Sequence, residues 1–447
     1  MSTSDSQSVY IESYGCQMNI ADSDVVASIL QREGYRIANQ AEEADFILIN
    51  TCAIRDNAEQ RIHRRLRELQ ALQRQRPALR IGILGCMAER LQTKLMEDEE
   101  NVSFVAGPDS YRRLPSLLRQ NAKAVDTELS VTETYADIEP VRLASNGVSA
   151  FVSIMRGCQN FCSYCVVPYT RGRERSRDPE TIVAETEGLL AAGYREVTLL
   201  GQNVNSYDHR GVRFPELLER VAAVSPLLRV RFATSHPKDT SDELLQAMAA
   251  HRNICKCMHL PVQSGSDRML KAMNRRYTRE WYLGRIDAIR RIVPECSVTT
   301  DVIAGFCGET EQDHQQTLSL FREVRYDYAY MFKYSMRPGT YAARHMVDDV
   351  PEEVKTRRLE EIIALQGEIA LQNNQGEVGR TCEVLVEGTS RRSNGQLFGR
   401  TSQNKVVVFD RDGHQPGEYL EVEVTGCTAA TLLGKAKKTL SPNASSK

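Results

Sequence analysis

The chain has 447 residues, 41% of them hydrophobic, enough for several packed cores and for two to four domains. Residues 1–8 are polar and lack a secretory pattern, and no apolar run approaches the ~18 residues that span a bilayer. A cytoplasmic protein with no membrane partner is expected. A net charge of −2 does not by itself indicate a nucleic-acid partner.

Taken in chain order, short apolar runs at 9–14, 46–50 and 81–84 read as strands. They alternate with helical patterns over 23–33 (closed by Gly34), an Arg-rich stretch to about 75, and a stretch from Ala88. Such alternation predicts an α/β domain with a parallel sheet over 8–141. The acidic, polar stretch 126–140 reads as a linker. The alternation resumes over 147–374, with strands expected at 150–154, 196–200, 229–232, 258–260, 297–303 and 328–334. That count fits a partial or full TIM-like (β/α) barrel, whose functional loops follow the strands. From 376 to 439 the pattern changes to short strands at 381–386, 397–401, 405–409 and 419–424 with Gly-bearing turns, a small β-barrel. The last residues, 440–447, are expected to be disordered.

Twelve cysteines are many for a cytosolic chain, where disulfides are disfavoured and clustered thiols indicate metal or redox chemistry. Cys158, Cys162 and Cys165 form a C-x3-C-x2-C string in a loop directly after the first barrel strand. Three thiolates suit three irons of a 4Fe-4S cluster and leave the fourth open. A structural zinc site requires four closed ligands, and no fourth ligand stands nearby in sequence. Cys16, Cys52 and Cys86 each follow a predicted strand of the first domain, spaced 36 and 34 residues apart. In a parallel sheet the strand ends share one edge, where ligands bind, so these three are expected to hold a second cluster, again with one open iron. Cys255, Cys257, Cys296, Cys307, Cys382 and Cys427 are expected to be ordinary core or surface thiols.

Polar residues near later strand ends are candidates for a cosubstrate site: Gly201, Gln202 and Asn203, then Ser235 and His236, then Gln263 and Asp301. Arginines at 171, 173, 175 and 177 follow the cysteine loop at once and are candidates for phosphate contact. Between Glu377 and Lys447 the tail holds ten basic and eight acidic residues, so its charge alone does not mark it as RNA-binding.

Two open three-cysteine sets followed by a β-barrel tail resemble the radical S-adenosylmethionine methylthiotransferases over nearly the whole chain. Tyr164 before Cys165 is similar to the aromatic residue of that superfamily's loop. The contexts Tyr14-Gly15-Cys16-Gln17-Met18-Asn19, Gly85-Cys86-Met87-Ala88-Glu89-Arg90 and Cys165-Val166-Val167-Pro168-Tyr169-Thr170-Arg171-Gly172-Arg173-Glu174 resemble the branch that modifies tRNA. The resemblance implies a radical-SAM barrel, a C-terminal TRAM (OB-like) RNA-binding barrel, and two 4Fe-4S clusters. It implies a methylthio group inserted at C2 of N6-isopentenyladenosine at tRNA position 37, with two S-adenosylmethionine molecules as methyl donor and radical source. The Cys158/Cys162/Cys165 cluster would generate the 5′-deoxyadenosyl radical, and the Cys16/Cys52/Cys86 cluster would carry the sulfur. A low-potential electron donor such as flavodoxin or ferredoxin, a sulfur source and a monomeric state are also implied. The alternatives are a methylthiotransferase for a ribosomal-protein aspartate or for threonylcarbamoyladenosine in tRNA, and a non-catalytic metal-stabilised RNA-binding protein.

Overall fold

The computed structural model describes residues 6–52, 56–120, 122–143 and 145–440; the expectation for 441–447 lies outside them. The chain forms two compact units. In the first, strands β1 (Ser8–Tyr14), β2 (Arg36–Ile37), β3 (Phe46–Thr51), β4 (Arg80–Gly85), β5 (Val102–Ala106) and β6 (Ala124–Asp126) make one parallel sheet in the order β2-β1-β3-β4-β5-β6. β3 is buried at every position, as expected where helices cover both faces of a parallel sheet. Successive side chains serve opposite cores: Leu48 packs with Leu30 and Phe104, while Ile47 and Ile49 pack with Ile62 and Leu66.

Two local expectations are corrected here. The first helix spans Gln17–Arg32 rather than starting at Ser23. Its early turns bury Asn19, Asp22, Ser23 and Asp24, polar residues that break the apolar period. Asn19 is satisfied by the Asn50 side chain and the Thr51 carbonyl, both at 3.0 Å. The stretch read as a linker is also packed: Tyr135 is buried, stacks on Tyr111 at 5.7 Å, and donates its hydroxyl to the Pro108 carbonyl.

The chain next enters the second unit through β7 (Ser149–Ser153), then returns to the first for a short antiparallel pair, β8 (Met155–Arg156) and β9 (Arg175–Ser176). The second unit continues with β10 (Glu196–Leu200), a two-rung hairpin of β11 (Asp208–His209) and β12 (Val212–Arg213), β13 (Arg229–Ala233), β14 (Cys257–His259), β15 (Ser297–Ala304) and β16 (Tyr328–Lys333). Parallel pairing gives β7-β10-β13 and β14-β15-β16, bridged at Val230 and Ile254. Among the described residues β7 and β16 do not pair, so the barrel is a partial one, an open arc of six strands.

A 24-residue helix, Glu352–Gln375, leads to the tail. There β17 (Thr381–Thr389), β18 (Gln396–Arg400), β19 (Val406–Asp410), β20 (Tyr419–Cys427) and β21 (Leu432–Thr439) close a five-stranded barrel around Val384, Leu397, Val407, Phe409 and Leu420. The fifth strand escapes sequence reading because its Gly434-Lys435-Ala436-Lys437-Lys438 run carries few apolar residues. Within this unit the barrel is latched beneath the arc. Arg229 donates to the Arg400 carbonyl at 2.6 Å, Arg231 to that of Thr401 at 2.7 Å, and Tyr419 to that of Leu227 at 3.0 Å. These contacts sit at the starting ends of the arc strands, away from the ends where the candidate site lies.

Candidate active site

Strand register places the first cysteine set. Tyr14 pairs with Thr51, and Thr51 with Gly85, so the last residues of β1, β3 and β4 lie level on adjacent strands about 4.8 Å apart. Cys16 follows two residues later, Cys52 and Cys86 one residue later. Gly85 permits this: it adopts φ +90°, and a Cβ there would stand 2.4 Å from Asn50 Oδ1 and 2.6 Å from the Thr51 carbonyl oxygen. Cys52 and Cys86 are buried and Cys16 is exposed.

The thiols already interact. A hydrogen bond from Cys52 pulls the Cys16 thiol down to about 6, helped by the nearby charge of Arg171, whereas burial pushes Cys86 up. All three are free. The three sulfurs do not all fall within 4.8 Å of one another, since among the described residues only Glu311, His314 and Glu361 form such a close set. A single zinc ion at about 2.3 Å from each sulfur would hold them within roughly 3.8 Å. The spacing and the all-thiol donor set fit a polynuclear cluster better than one ion.

A buried ionic network backs this edge, all of it within the first unit. Asp22 accepts from Arg156 Nη1 and Arg171 Nη2, each at 2.7 Å, and Asp109 accepts from Arg175 at 3.0 Å. Burial opposes ionisation of Asp22, but the two guanidiniums outweigh it and hold its carboxyl below the usual range. Arg171 also donates through Nε to Cys86 Sγ at 3.2 Å. It ends the helix Val167–Arg171, which starts just after Cys165, and Val166 packs on Cys86.

These facts correct the reading of the arginine run. Arg171, Arg175 and Arg177 are buried, and Arg177 donates to Thr181 at 2.9 Å. Their guanidiniums are committed to internal partners and are not available to phosphates; Arg173 alone of the four is exposed.

The second cysteine loop begins with Gly157 at φ +81°, where a Cβ would meet the Arg173 carbonyl oxygen at 1.9 Å. Cys158 N–H donates to the Gly172 carbonyl at 3.1 Å. Cys158 and Cys162 are buried, and Cys165 is half-buried. Cys162–Tyr164 belong to the second unit. There Ser163 is held by the Ala272 and Met273 carbonyls, and Arg275 donates from one nitrogen to both Cys162 Sγ and Tyr164 Oη at 3.2 Å. Sequence reading missed Arg275, Asp22 and Asp109, because a charged residue whose partners lie far along the chain carries no local signal of burial.

The cosubstrate candidates lie along the finishing ends of the arc strands. Gly201, Asn203, Ser235, His236 and Gln263 are buried, Gln202 and Asp301 half-buried. Asn203 donates to Asp239 at 2.7 Å and accepts from the His236 N–H at 2.9 Å. Ser235 Oγ faces Met258 Sδ at 3.9 Å, and Asp301 stands 3.4 Å from His259 Nε2. Both amide atoms of Gln202, His236 Nε2 and Gln263 Oε1 are buried with no partner. Leaving such atoms unpaired costs about 1–3 kcal/mol each, so this wall is built for a polar ligand. Burial first, then Arg275, presses His236 down to about 2, and its ring is neutral. Gln263 adopts φ +71°.

The remaining six cysteines are free and lie buried or half-buried, with no close ligand set among them in the described residues.

An open six-strand (β/α) arc with a three-cysteine loop after its first strand defines a radical S-adenosylmethionine enzyme. Residues 152–321 match the radical SAM superfamily, 8–107 the family described as uncharacterized protein family UPF0004, and 375–437 the TRAM domain. The fold is shared with the radical S-adenosylmethionine methyltransferase TsrM of Kitasatospora setae, at TM-score 0.55 and 14% identity over 76% of this chain and 77% of that one. The chain is 56% identical over 439 residues, 96% of each chain, to the tRNA-2-methylthio-N(6)-dimethylallyladenosine synthase of Bacteroides thetaiotaomicron. It is 55% identical to that of Porphyromonas gingivalis over 96% of this chain and 95% of the relative. The chain belongs to the family of tRNA-2-methylthio-N(6)-dimethylallyladenosine synthases.

Proposed function

We propose that the chain inserts a methylthio group at C2 of N6-isopentenyladenosine at position 37 of tRNA. In this reading Cys16, Cys52 and Cys86 ligate one 4Fe-4S cluster, and Cys158, Cys162 and Cys165 the other. The observation that supports it most is the level register of β1, β3 and β4, which gathers three thiols from distant sequence at one sheet edge. When bound, the clusters and S-adenosylmethionine supply the radical, the methyl group and the sulfur, which no side chain can provide at an unactivated aromatic C–H.

The chain's own groups bind, orient and exclude water. Gln202, His236 and Gln263 offer unpaired polar atoms to the cosubstrate, in a wall shared with Gly201, Ser235 and Asp301. Asn203 fixes the backbone of His236. Arg275 donates to the Cys162 sulfur and steadies its charge. The base, in an anticodon loop, can be unstacked without opening a duplex. The tail barrel is a second contact for tRNA. A low-potential electron donor such as flavodoxin or ferredoxin, a separate sulfur source, a monomeric state and a cytoplasmic location complete the reading. Among the described residues no helix is long and apolar enough to cross a membrane.

Anaerobic reconstitution followed by incubation with isopentenylated tRNA, S-adenosylmethionine and a strong reductant tests this. About eight irons per chain and the methylthio nucleoside by mass spectrometry are expected. Fully loaded protein that leaves this tRNA unchanged, yet turns over a ribosomal-protein aspartate or threonylcarbamoyl tRNA, refutes the substrate assignment.

A further inference from the structure

Along β15 and β16 successive side chains serve opposite faces of the arc. Thr300, Val302 and Ala329 are buried. The Thr300 hydroxyl and that of Tyr282, from the helix Arg279–Ile292, both donate to the Leu260 carbonyl at 3.0 Å, so this is the face that helices cover. The alternate residues therefore line the inner face. Register sets them in rows: His259, Thr299 and Tyr328 lie level on three adjacent strands, and Asp301 and Tyr330 lie level in the next row. His259 Nδ1 stands 2.9 Å from Thr299 Oγ1. The Tyr330 ring meets Tyr328 at 5.0 Å and His259 at 5.8 Å, both edge to face. Tyr328 and Tyr330 are nonetheless 47% and 46% exposed. In a closed barrel such rings would fill the interior; here the arc stays open at β16 and leaves them facing solvent. Gln263 bridges to Val302, next to Asp301, so the row that holds Tyr330 borders the cosubstrate wall. At the other end, Asp327, just before Tyr328, pairs with Lys405 of the tail barrel at 3.5 Å. Exposed rings rimmed by an imidazole and a carboxylate suit a ligand with a flat π face and a polar edge, and an unstacked nucleobase is such a ligand.

We propose that Tyr330, steadied by Tyr328 and His259, is the platform on which the target adenine of the tRNA stacks after leaving its anticodon loop. This rests on the proposed function, which supplies a single-stranded purine as substrate. The two edge-to-face contacts hold the Tyr330 ring in one orientation, and its place on a strand sets its position before the base arrives. The stacked base lies beside Asp301, at the border of the wall that Gln202, His236 and Gln263 offer to S-adenosylmethionine, so the platform brings the two substrates together.

The test is a double-mutant cycle on the reconstituted full-length chain. Fluorescence anisotropy gives the affinity of the parent, Tyr330→Ala and Tyr330→Phe for an anticodon stem-loop RNA carrying N6-isopentenyladenosine, and for the same RNA made abasic at that nucleotide. Tyr330→Ala should weaken binding of the modified RNA about tenfold, the effect of losing one base–aromatic stack, with iron content and S-adenosylmethionine affinity unchanged. Tyr330→Phe keeps the ring and should bind as the parent does. On the abasic RNA, parent and Tyr330→Ala should bind equally, because the partner of the ring is already gone. Equal affinity of parent and Tyr330→Ala for the modified RNA overturns the inference while leaving the proposed function standing. So does a Tyr330→Phe as weak as Tyr330→Ala, a tenfold loss that persists on the abasic RNA, or a loss of iron or of S-adenosylmethionine binding. A fully loaded parent that does not methylthiolate the modified RNA refutes the proposed function, and the inference with it.

Discussion

Replacing Asp22 by Asn should destabilise the first unit while preserving shape. Asp22 is 1% exposed and takes one 2.7 Å bond from each of Arg156 and Arg171. The buried network has three guanidiniums against two carboxylates, Asp22 and Asp109; the substitution leaves only Asp109. Removing one partner of a buried ion pair costs about 3–5 kcal/mol, because the other charge stays buried. The Asn oxygen can still accept one bond, which favours the lower figure, about 3 kcal/mol. For a unit of this size that lowers the melting temperature by about 6–12 °C. Calorimetry of the metal-free full-length chain resolves this as a shift of one transition, since a two-unit chain need not melt as a single step. Adding Arg171→Met should recover part of the loss, because removing both charges relieves what removing one creates. A melting temperature within about 2 °C of the parent would show that solvent or relaxation screens the network, and the reasoning would fail.

Three further outcomes are expected. Gly85→Ala should lose about half of the reconstituted iron and destabilise the chain, as its φ of +90° and its 2.4 Å approach to Asn50 admit no side chain; strain alone is worth about 1–3 kcal/mol. Full iron content with a normal melting curve would contradict this. Burial, aided by Asp109 and Asp126, raises Glu89 to about 8, so the native state keeps a proton that the unfolded chain releases above the ordinary carboxylate range. Stability should therefore fall as pH rises from about 4.5 to 8, and Glu89→Gln should flatten that slope and exceed the parent at pH 8 in denaturant titrations; a less stable variant at pH 8 would reverse the sign. Arg229→Ala removes the 2.6 Å bond to the Arg400 carbonyl and the ion pair with Glu383, so limited proteolysis between 376 and 380 should release the tail barrel about tenfold faster, and an unchanged rate would show that other contacts hold it.

Much of this was legible because strands announce themselves where they are wholly buried. The run at 81–84 has no polar residue and that at 46–50 only a terminal Asn, so their ends, and with them Cys52 and Cys86, could be located. What stayed hidden was polar structure inside the core. Asn19 and Asp22 look like surface residues in sequence and delayed the expected start of the first helix, although both are buried and bonded. The arginines from 171 to 177 look like a basic face for the same reason. Burial of charge is decided by partners far along the chain: Asp22 and Arg171 lie 149 residues apart, and no local pattern couples them. β21 was missed because a barrel strand with one wet face needs only a few apolar residues.

The two cysteine sets also differ in when they can exist. Cys158, Cys162 and Cys165 sit within eight consecutive residues and can grasp metal from an unfolded or nascent chain. Cys16, Cys52 and Cys86 have no shared site until β1, β3 and β4 have paired in register. On the ligand assignment proposed above, iron supplied before folding loads one set and bypasses the other, and it also stabilises the unfolded chain by mass action. Iron supplied after folding meets both. The order in which a cell folds and metallates this chain thus determines whether it obtains a complete enzyme or one that carries only the local cluster.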